Sequence, residues 1–283
     1  MTNSQVCILG AGNMGRALLG GLLRAGTRAE QLSAAETLPA ARAALVRELG
    51  ISAAADAHAA VAGAAVVVVA VKPQEARVLL QGVAGALLRS QPLVISVVAG
   101  LRIATLQSWC PGVAVMRAMP NRPALIGAGA SGLYAPAAIT PAQRTLAAQV
   151  MSTVGEVAWV DAEEALDVVT ALSGSGPAYF FLLAELMAEA GEQLGLEAAT
   201  ARRLATATLR GSGLMLQSPD ADVTRLREQV TSPGGTTEAA LEALERADLR
   251  GSVRSALTAA TQRSRELASS TVSSPADADL PLA

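Results

Sequence analysis

The sequence predicts an α/β domain with a doubly wound parallel sheet, followed by an all-α domain. Short β-branched runs alternate with helical patterns up to about residue 160, which is typical of βαβ units. From Leu172 onward only helical patterns follow. We therefore expect a first domain of residues 1–162, a helical domain of residues 163–268 and a disordered tail of residues 269–283, which is rich in Ser, Pro and Asp.

Hydrophobic periodicity predicts the elements of the first domain. Unbroken β-branched runs indicate strands that are buried on both faces, because helices cover both sides of a parallel sheet. Stretches with apolar residues at helical spacing end at glycines, which often terminate helices. In chain order we predict strand 6–9, helix 14–25, a weaker strand 31–35, helix 39–49, and strands 66–71, 93–98 and 113–119.

The second domain is predicted to contain helices 178–194, 199–216, 236–244 and 249–268. The stretch Ala178–Ala190 is apolar on more than one face, and a helix that is apolar all round must be buried. About 105 residues of helix on one α/β domain would leave such a surface uncovered. We therefore expect a homo-oligomer, at least a dimer.

Composition excludes several classes of protein. The 283 residues include one histidine, His58, and two cysteines, Cys7 and Cys110, too few for a zinc site or a disulfide framework. Two residues each of Phe, Trp and Tyr, with a net charge of −2, argue against a nucleic-acid partner. No basic segment precedes the first apolar run, so we expect no signal peptide, no membrane partner and a cytoplasmic location.

A glycine motif joins the first strand to the first helix. Gly10 permits a tight turn, Gly12 lets the backbone approach a pyrophosphate, and Gly15 lets the helix pack against the strand. The alternative, a tight turn without a ligand, is disfavoured because strand, motif and helix follow one another directly. This is a Rossmann fingerprint, with a predicted cofactor loop of Gly10, Ala11, Gly12, Asn13, Met14 and Gly15.

Glu36 lies about 20 residues beyond the motif, where an acidic residue binds the ribose of a dinucleotide. A carboxylate there suits a ribose 2′-hydroxyl and repels a 2′-phosphate. Arg42, one turn further on, could offset that repulsion, or it could lie on a solvated helix face. The choice between NAD and NADP stays open.

Three later segments carry a specific resemblance. Two predicted strands end in the segments Ala70-Val71-Lys72-Pro73 and Arg117-Ala118-Met119-Pro120-Asn121. In parallel sheets, ligands lie at the carboxyl ends of the strands. The other segments are Leu172–Tyr179, reading LSGSGPAY, and Val230–Thr237, reading VTSPGGTT. Together they resemble the pyrroline-5-carboxylate reductase family, from Val6 to about Ala268. The Ser-Pro-Gly-Gly-Thr-Thr segment is the most specific part of this resemblance.

The resemblance implies reduction of Δ1-pyrroline-5-carboxylate to L-proline, the last step of proline biosynthesis, with NADPH or NADH. It implies a Rossmann domain and a helical domain that interlocks with a partner subunit. It therefore implies a homodimer, with a decamer of dimers as a further assembly. The cofactor residues that it adds to Glu36 are Ala70, Val71, Lys72, Pro73, Ala99, Gly100 and Asn121. Lys72 has an alternative interpretation as an ordinary surface base.

The Pro-Gly-Gly turn ahead of a helix exposes backbone N–H groups that suit a small carboxylate. We expect the amides of Ser232, Gly234, Gly235 and Thr236 to hold the substrate carboxylate. Thr237 is the predicted catalytic residue, with its hydroxyl beside the imine nitrogen. In the second segment, Ser175 is expected to cap a helix and to line the active site. Each of these segments could alternatively be a helix cap only.

Two residues depart from the family pattern. Arg122 stands where the family usually has Thr, and its charge faces either the nicotinamide pocket or solvent. Glu36 replaces a small or hydroxylic residue. Two other functions stay open: a related imine or β-hydroxyacid dehydrogenase, and a non-catalytic NAD(P)-sensing module. The first would carry a Lys or an Asp/Tyr proton donor in its helical domain, and helix 178–194 contains no Lys.

Overall fold

The computed structural model describes residues 4–218 and 220–270. The chain divides into two compact units. The first contains the chain up to Gly174 together with the chain from Ala260, and the second is Ser175–Ala259. The domain boundary predicted between residues 162 and 163 stays a prediction.

The first unit contains an eight-stranded sheet. Its strands are β1 (Val6–Leu9), β2 (Leu32–Ala35), β3 (Ser52–Ala54), β4 (Val66–Val69), β5 (Leu93–Ser96), β6 (Ala114–Met119), β7 (Gly129–Tyr134) and β8 (Gly155–Trp159). They lie in the order β3-β2-β1-β4-β5-β6-β7-β8. The chain reverses its direction of winding between β1 and β4, so a ligand crevice is expected at their carboxyl ends.

The pairing is parallel from β3 through β6, as predicted. Strand β7 pairs antiparallel with β6, and β8 then pairs parallel with β7. The prediction omitted both of these strands as well as β3. The connection from Met119 to Gly129 explains the reversal, because it is shorter than the dozen or more residues that a parallel crossover needs.

The core has a hydrophobic cluster on each face of the sheet. Successive side chains of a strand point to opposite faces. Ile8 and Val68 accordingly belong to one cluster, while Leu9 and Val69 belong to the other. All four residues of β1 and all four of β4 are buried. This confirms the prediction that the β-branched runs form strands covered on both sides.

Seven helices of the first unit precede Gly174: α1 (Asn13–Arg24), α2 (Pro39–Leu49), α3 (Ala57–Val61), α4 (Pro73–Ser90), α5 (Ile103–Trp109), α6 (Pro141–Met151) and α7 (Ala165–Val169). The predicted helix 39–49 agrees with α2 at both ends. Pro39 occupies its first turn, and Gly50 ends it in the left-handed conformation with φ of 66°.

The later helices are α8 (Gly176–Gln193), α9 (Ala198–Met215), α10 (Val223–Gln229), α11 (Thr236–Arg246) and α12 (Leu249–Ser270). Four of the five were predicted to within about two residues at either end. Helix α10, at seven residues, is too short for its periodicity to stand out. Helix α12 includes Ser269 and Ser270, which the prediction placed in the disordered tail. The rest of that tail, residues 271–283, lies outside the described residues.

Candidate functional site

The glycine motif forms the turn between β1 and α1. Gly10 has φ of 97°, a conformation that favours glycine. A Cβ atom at Gly10 would lie 2.7 Å from Val71 Cγ1, so the segment just after β4 approaches the turn too closely for a side chain. A Cβ atom at Gly15 would collide with the carbonyl oxygen of Gly10. These two glycines are therefore required by packing within the chain.

Gly12 differs from the other two glycines. A Cβ atom there would meet no described atom within 4 Å, so the space beside Gly12 is open. Gly12 is also the N-cap residue of α1, and no side chain caps this helix. The first backbone N–H groups of α1 are therefore free to bind an anion with the favourable end of the helix dipole. This arrangement fits the pyrophosphate of a dinucleotide.

The other predicted cofactor residues follow the carboxyl ends of β4 and β5. Lys72 is the exposed N-cap residue of α4, and Pro73 occupies the first turn of that helix. Ala99 is exposed, and Gly100 has φ of 75° in the turn after β5. Strand β4 pairs parallel with β1, and β5 pairs parallel with β4, which places these loops along one edge of the sheet.

Glu36 follows β2 at the same edge. Its Oε2 accepts a hydrogen bond from the backbone N–H of Ala11 at 3.2 Å, and its Oε1 accepts one from the N–H of Leu38 at 2.9 Å. The carboxylate therefore lies beside the glycine turn. The guanidinium of Arg42 donates to the carbonyl oxygens of Glu36 and Thr37, each at 2.7 Å.

Asn121 follows β6 and is engaged within the chain. Its side-chain N–H group donates to the carbonyl oxygen of Ser173 at 3.1 Å, and its Oδ1 accepts from the N–H of Ala130 at 2.9 Å. Ser173 lies in a π-helical turn, Thr170–Gly174, a conformation frequent at functional sites. Asn121 thus positions this turn, and its contact with the cofactor stays a prediction. The side chain of Arg122 is exposed.

Ser175 occupies the N-cap position of α8, as expected, but its side chain makes no capping hydrogen bond. The predicted side-chain cap is therefore wrong. Ser175 has φ of −82° and ψ of −21°, close to helical values, whereas a capping serine usually has an extended backbone that directs its oxygen at the next amides. Its carbonyl oxygen accepts from Ala178 N–H at 3.0 Å instead.

The predicted substrate segment precedes α11 in the second unit. Gly234 has φ of 71°, as its turn requires. Its N–H donates to Glu238 Oε2 at 2.7 Å, and the N–H of Gly235 donates to the carbonyl oxygen of Ser232 at 3.0 Å. Two of the four amides expected to bind a carboxylate thus have acceptors within the chain. No side chain caps α11, which leaves the N–H of Thr236 free at its first position.

A buried charge cluster in the first unit was missed by the sequence analysis. Arg117, on β6, is 4% exposed and donates to Glu163 Oε1 at 2.9 Å. Burial lowers the pKa of Arg117, and the hydrogen bond and charge of Glu163 oppose that shift. Arg102 pairs with Asp167, which also accepts a hydrogen bond from Ser264 of α12 at 2.8 Å. The one available signal was a charged residue within an apolar predicted strand.

The two cysteines are buried and unpaired. Burial raises the pKa of Cys7 to about 11, with an opposing hydrogen bond from Ser33, and it raises the pKa of Cys110 to about 11. Both thiols are therefore protonated at neutral pH, and neither suits a nucleophile. Within residues 4–218 and 220–270, no group of three or more His, Cys, Asp or Glu side chains could hold a metal ion.

Helix α8 exposes most of its large apolar side chains in the isolated chain. Phe180 is 59% exposed and Phe181 is 61% exposed. By length and composition alone, the helical stretch Ala165–Gln193 could also cross a membrane, which for one helix is weak evidence. Its three glutamates, Glu185, Glu189 and Glu192, fit a partly hydrated interface better than a lipid core.

The glycine turn, the open space at Gly12 and the sheet topology define a dinucleotide-binding domain, and such a domain followed by a helical domain is typical of nicotinamide-dependent oxidoreductases. Two protein-family models match parts of the chain in agreement with this class. Residues 5–100 match "NADP oxidoreductase coenzyme F420-dependent", and residues 163–267 match "Pyrroline-5-carboxylate reductase dimerisation". The second match includes α8 and the segment before α11.

Full-length relatives identify the family. The chain is 44% identical to a pyrroline-5-carboxylate reductase of Pseudomonas aeruginosa, over 95% of this chain and 98% of that protein. It is 41% identical to a pyrroline-5-carboxylate reductase of Mycobacterium tuberculosis, over 93% of this chain and 97% of that protein. The structure of the Coxiella burnetii enzyme matches with a TM-score of 0.91 and 37% identity, covering 94% of this chain and 99% of that one. The chain belongs to the pyrroline-5-carboxylate reductase family.

Proposed function

We propose that this protein reduces Δ1-pyrroline-5-carboxylate to L-proline with NADPH or NADH, the last step of proline biosynthesis. The observation that carries this proposal is the 44% identity to the Pseudomonas aeruginosa reductase along nearly the whole of both chains. A Plasmodium falciparum pyrroline carboxylate reductase with NADP bound shares the fold, with a TM-score of 0.79 and 27% identity over 95% of this chain and 99% of that one.

Residues 1–162 bind the dinucleotide in this proposal. The loop Gly10–Gly15 holds the pyrophosphate, since its glycines leave open space and free N–H groups. The loops after β2, β4, β5 and β6 bind the rest of the cofactor, through Glu36, Ala70–Pro73, Ala99, Gly100 and Asn121. When bound, the reduced nicotinamide supplies the hydride that the imine carbon accepts.

Residues 163–268 bind the substrate and form the dimer. The amides of Ser232 and Thr236 are available for the substrate carboxylate, and those of Gly234 and Gly235 join them if their internal acceptors move. Ser175 lines the same site. The Thr237 hydroxyl has no hydrogen-bond partner among the described residues, so it can donate to the ring nitrogen, which becomes more basic as the C=N bond is reduced.

The apolar surface of α8 supports a homodimer, because a surface of this size is rarely left exposed to water. The match of residues 163–267 to a dimerisation model supports the same assembly. We propose a cytoplasmic homodimer, with a decamer of dimers as a further assembly. The biosynthetic reaction uses reduced cofactor and a small soluble substrate, and both are available in the cytoplasm.

The test follows nicotinamide absorbance with pyrroline-5-carboxylate as substrate. Thr237→Ala is expected to lower kcat/KM by about 5- to 150-fold, the loss of about 1–3 kcal/mol for one buried hydrogen bond. Thr224→Ala, an exposed change on α10, is the matched control and should keep wild-type activity. Full activity of Thr237→Ala would disprove the role of Thr237. Absence of turnover by wild type with either cofactor would disprove the reaction.

A further inference from the structure

The loop after β5 carries Ala99 and Gly100, two of the residues proposed to bind the cofactor. Its first half is fixed to the sheet, because the N–H of Val97 donates to the carbonyl oxygen of Val69 at 3.0 Å. Among the described residues, the N–H groups of Ala99 and Gly100 have no hydrogen-bond acceptor. The position of the second half of the loop therefore depends on the residues that follow it.

The buried charge cluster holds those following residues. Arg102 is the N-cap residue of α5, and its guanidinium pairs with the carboxylate of Asp167. The same guanidinium donates to the carbonyl oxygen of Glu163 at 3.4 Å. The N–H of Ile103, the first residue of α5, donates to Glu163 Oε1 at 2.8 Å. Two successive residues after the loop are thus held by the segment that leads into α7.

Helix α12 packs on the same loop, and its end belongs to the first unit. A Cβ atom at Gly100 would lie 3.8 Å from Leu267 Cβ, which is ordinary van der Waals contact. Ser264, about one turn earlier on α12, donates to Asp167 Oδ1 at 2.8 Å, while Arg102 pairs with Oδ2. One buried carboxylate therefore joins the end of the loop to the helix beside it.

The ionic character of this cluster asks for more than a contribution to stability. Well-packed apolar side chains of similar volume often stabilise a core as much as a buried ion pair does. Charge-assisted hydrogen bonds add direction, since they fix where each partner lies. Arg117 of β6 donates to Glu163 Oε1 at 2.9 Å, so the sheet itself supports the arrangement.

We propose that Arg102 and Asp167 are positioning residues for the dinucleotide, because their ion pair holds Ala99 and Gly100 in the place where the cofactor binds. The pair acts through the loop. This inference rests on the proposed function, which assigns the loop after β5 to the cofactor. It goes further by giving a task to buried charges that no sequence motif includes.

The test is equilibrium binding of NADPH and of NADH, followed by the fluorescence of the reduced nicotinamide without substrate. Arg102→Gln removes the guanidinium from a side chain that is 22% exposed, so the chain should stay folded. We expect Kd to rise by about fivefold or more, because affinity falls with the fraction of chains whose loop is in the binding position. The factor should be the same for both cofactors, since they differ only at the adenosine ribose.

Steady-state kinetics and a conservative variant separate positioning from other roles. At saturating cofactor, KM for pyrroline-5-carboxylate in Arg102→Gln should stay within about twofold of wild type. Arg102→Lys keeps the positive charge without the planar fork, so its Kd should lie between those of wild type and Arg102→Gln. A Kd of Arg102→Lys above that of Arg102→Gln would contradict the proposal.

The same substitution in an Asp167→Asn background tests whether the two residues act as a pair. Asparagine has one acceptor oxygen where the carboxylate has two, so the anchor of the loop is already weakened. Arg102→Gln should then add little to the rise in Kd. Equal factors in both backgrounds would overturn the proposal, since Arg102 would then act without Asp167, as it would by attracting the cofactor phosphates directly.

Met151→Ala is the control for a loss of stability. Met151 is buried at the end of α6, in the cluster on the other face of the sheet from Leu101 and Leu106. This variant should be less stable but keep the wild-type Kd. A rise in Kd equal to that of Arg102→Gln would overturn the proposal, because lost stability would then explain both.

The binding and turnover measurements also separate this inference from the proposed function. An unchanged Kd in Arg102→Gln, with normal turnover of pyrroline-5-carboxylate by wild type, would overturn the positioning role and leave the reaction intact. The expected rise in Kd without turnover by wild type would support the positioning role and overturn the proposed reaction.

Discussion

The two compact units of this chain differ in how far they bury their apolar side chains. In the first unit the apolar residues of the sheet are covered on both faces, and the buried charges are paired. In Ser175–Ala259 most large apolar side chains of α8 are exposed. The first unit therefore contains its own core, whereas the second presents an apolar surface that the single chain leaves uncovered.

Substitutions in the two units should therefore have different effects. A substitution in the core of the first unit should change the free energy of unfolding of the single chain. A substitution on the surface of α8 should change association between chains while the chain itself stays folded.

The largest effect is expected at the buried charge cluster. Asp167 is 2% exposed and accepts hydrogen bonds from Arg102 and Ser264. Asp167→Ala would remove the carboxylate that pairs with the half-buried Arg102, and breaking a largely buried ion pair in this way costs up to about 3–5 kcal/mol. We expect that loss in the free energy of unfolding, measured by urea denaturation.

The neighbouring Glu164→Ala provides the control for Asp167, because Glu164 is exposed. It should change the free energy of unfolding by less than about 0.5 kcal/mol. If Asp167→Ala were as stable as this control, the cluster would contribute nothing to the stability of the first unit. The contrast between the units would then rest on apolar packing alone.

The same cluster shows what the sequence could predict. Helix α2 was predicted at both ends because Pro39 and Gly50 are local signals. The β-branched runs were predicted because burial on both faces leaves a continuous apolar pattern. Asp167 and Ser264 are 97 residues apart, and no local pattern links them. Arg117 alone gave a signal, since a charge within a buried strand needs a partner.

The candidate site divides in the same way. The glycine motif predicted its own turn because Gly15 is constrained by Gly10 and Ile8, which are close in sequence. The contact of Gly10 with Val71, just after β4, adds a constraint that is distant in sequence. The hydrogen bonds of Glu36 to Ala11 and of Asn121 to Ser173 span 25 and 52 residues. The contact between Glu238 and Gly234 was also missed, although it is local, because a glutamate in the first turn normally indicates only a favourable helix dipole.

The second prediction concerns the apolar surface of α8. Phe181→Glu places a charge where the side chain is 61% exposed in the single chain, so folding of that chain should change little. If a partner covers this surface, a buried unpaired charge would weaken association by about 2 kcal/mol or more, as at an interface hot spot. Size-exclusion chromatography with light scattering should show a shift from dimer toward monomer.

Val78→Glu gives the comparison from the first unit. Val78 lies on α4 and is 76% exposed, so it is even more accessible than Phe181. Exposed apolar residues that stand singly are common and have no partner to lose. This variant should remain a dimer. Dissociation by both variants, or by neither, would contradict the assignment of the association surface to α8.

The smallest effect is expected at Glu197, the N-cap residue of α9 in the second unit. Its carboxylate accepts hydrogen bonds from the N–H groups of Ala199 at 3.0 Å and Thr200 at 2.8 Å. The hydrogen bond from Ala199 lowers the pKa of Glu197 most, and the hydrogen bond from Thr200 lowers it further. Because the folded pKa lies below the unfolded value, the contribution to stability is complete above the unfolded pKa. It is lost as the pH falls through the folded pKa.

Glu197→Ala should therefore lower the Tm slightly at pH 7, and the difference from wild type should disappear at a pH well below about 4.3. A unit with few buried side chains depends more on such caps than one with its own core, because helix ends have no other partners. The same Tm difference at both pH values would show that Glu197 acts through helix propensity rather than through its charge. A capping role requires the difference to follow the ionisation of the carboxylate.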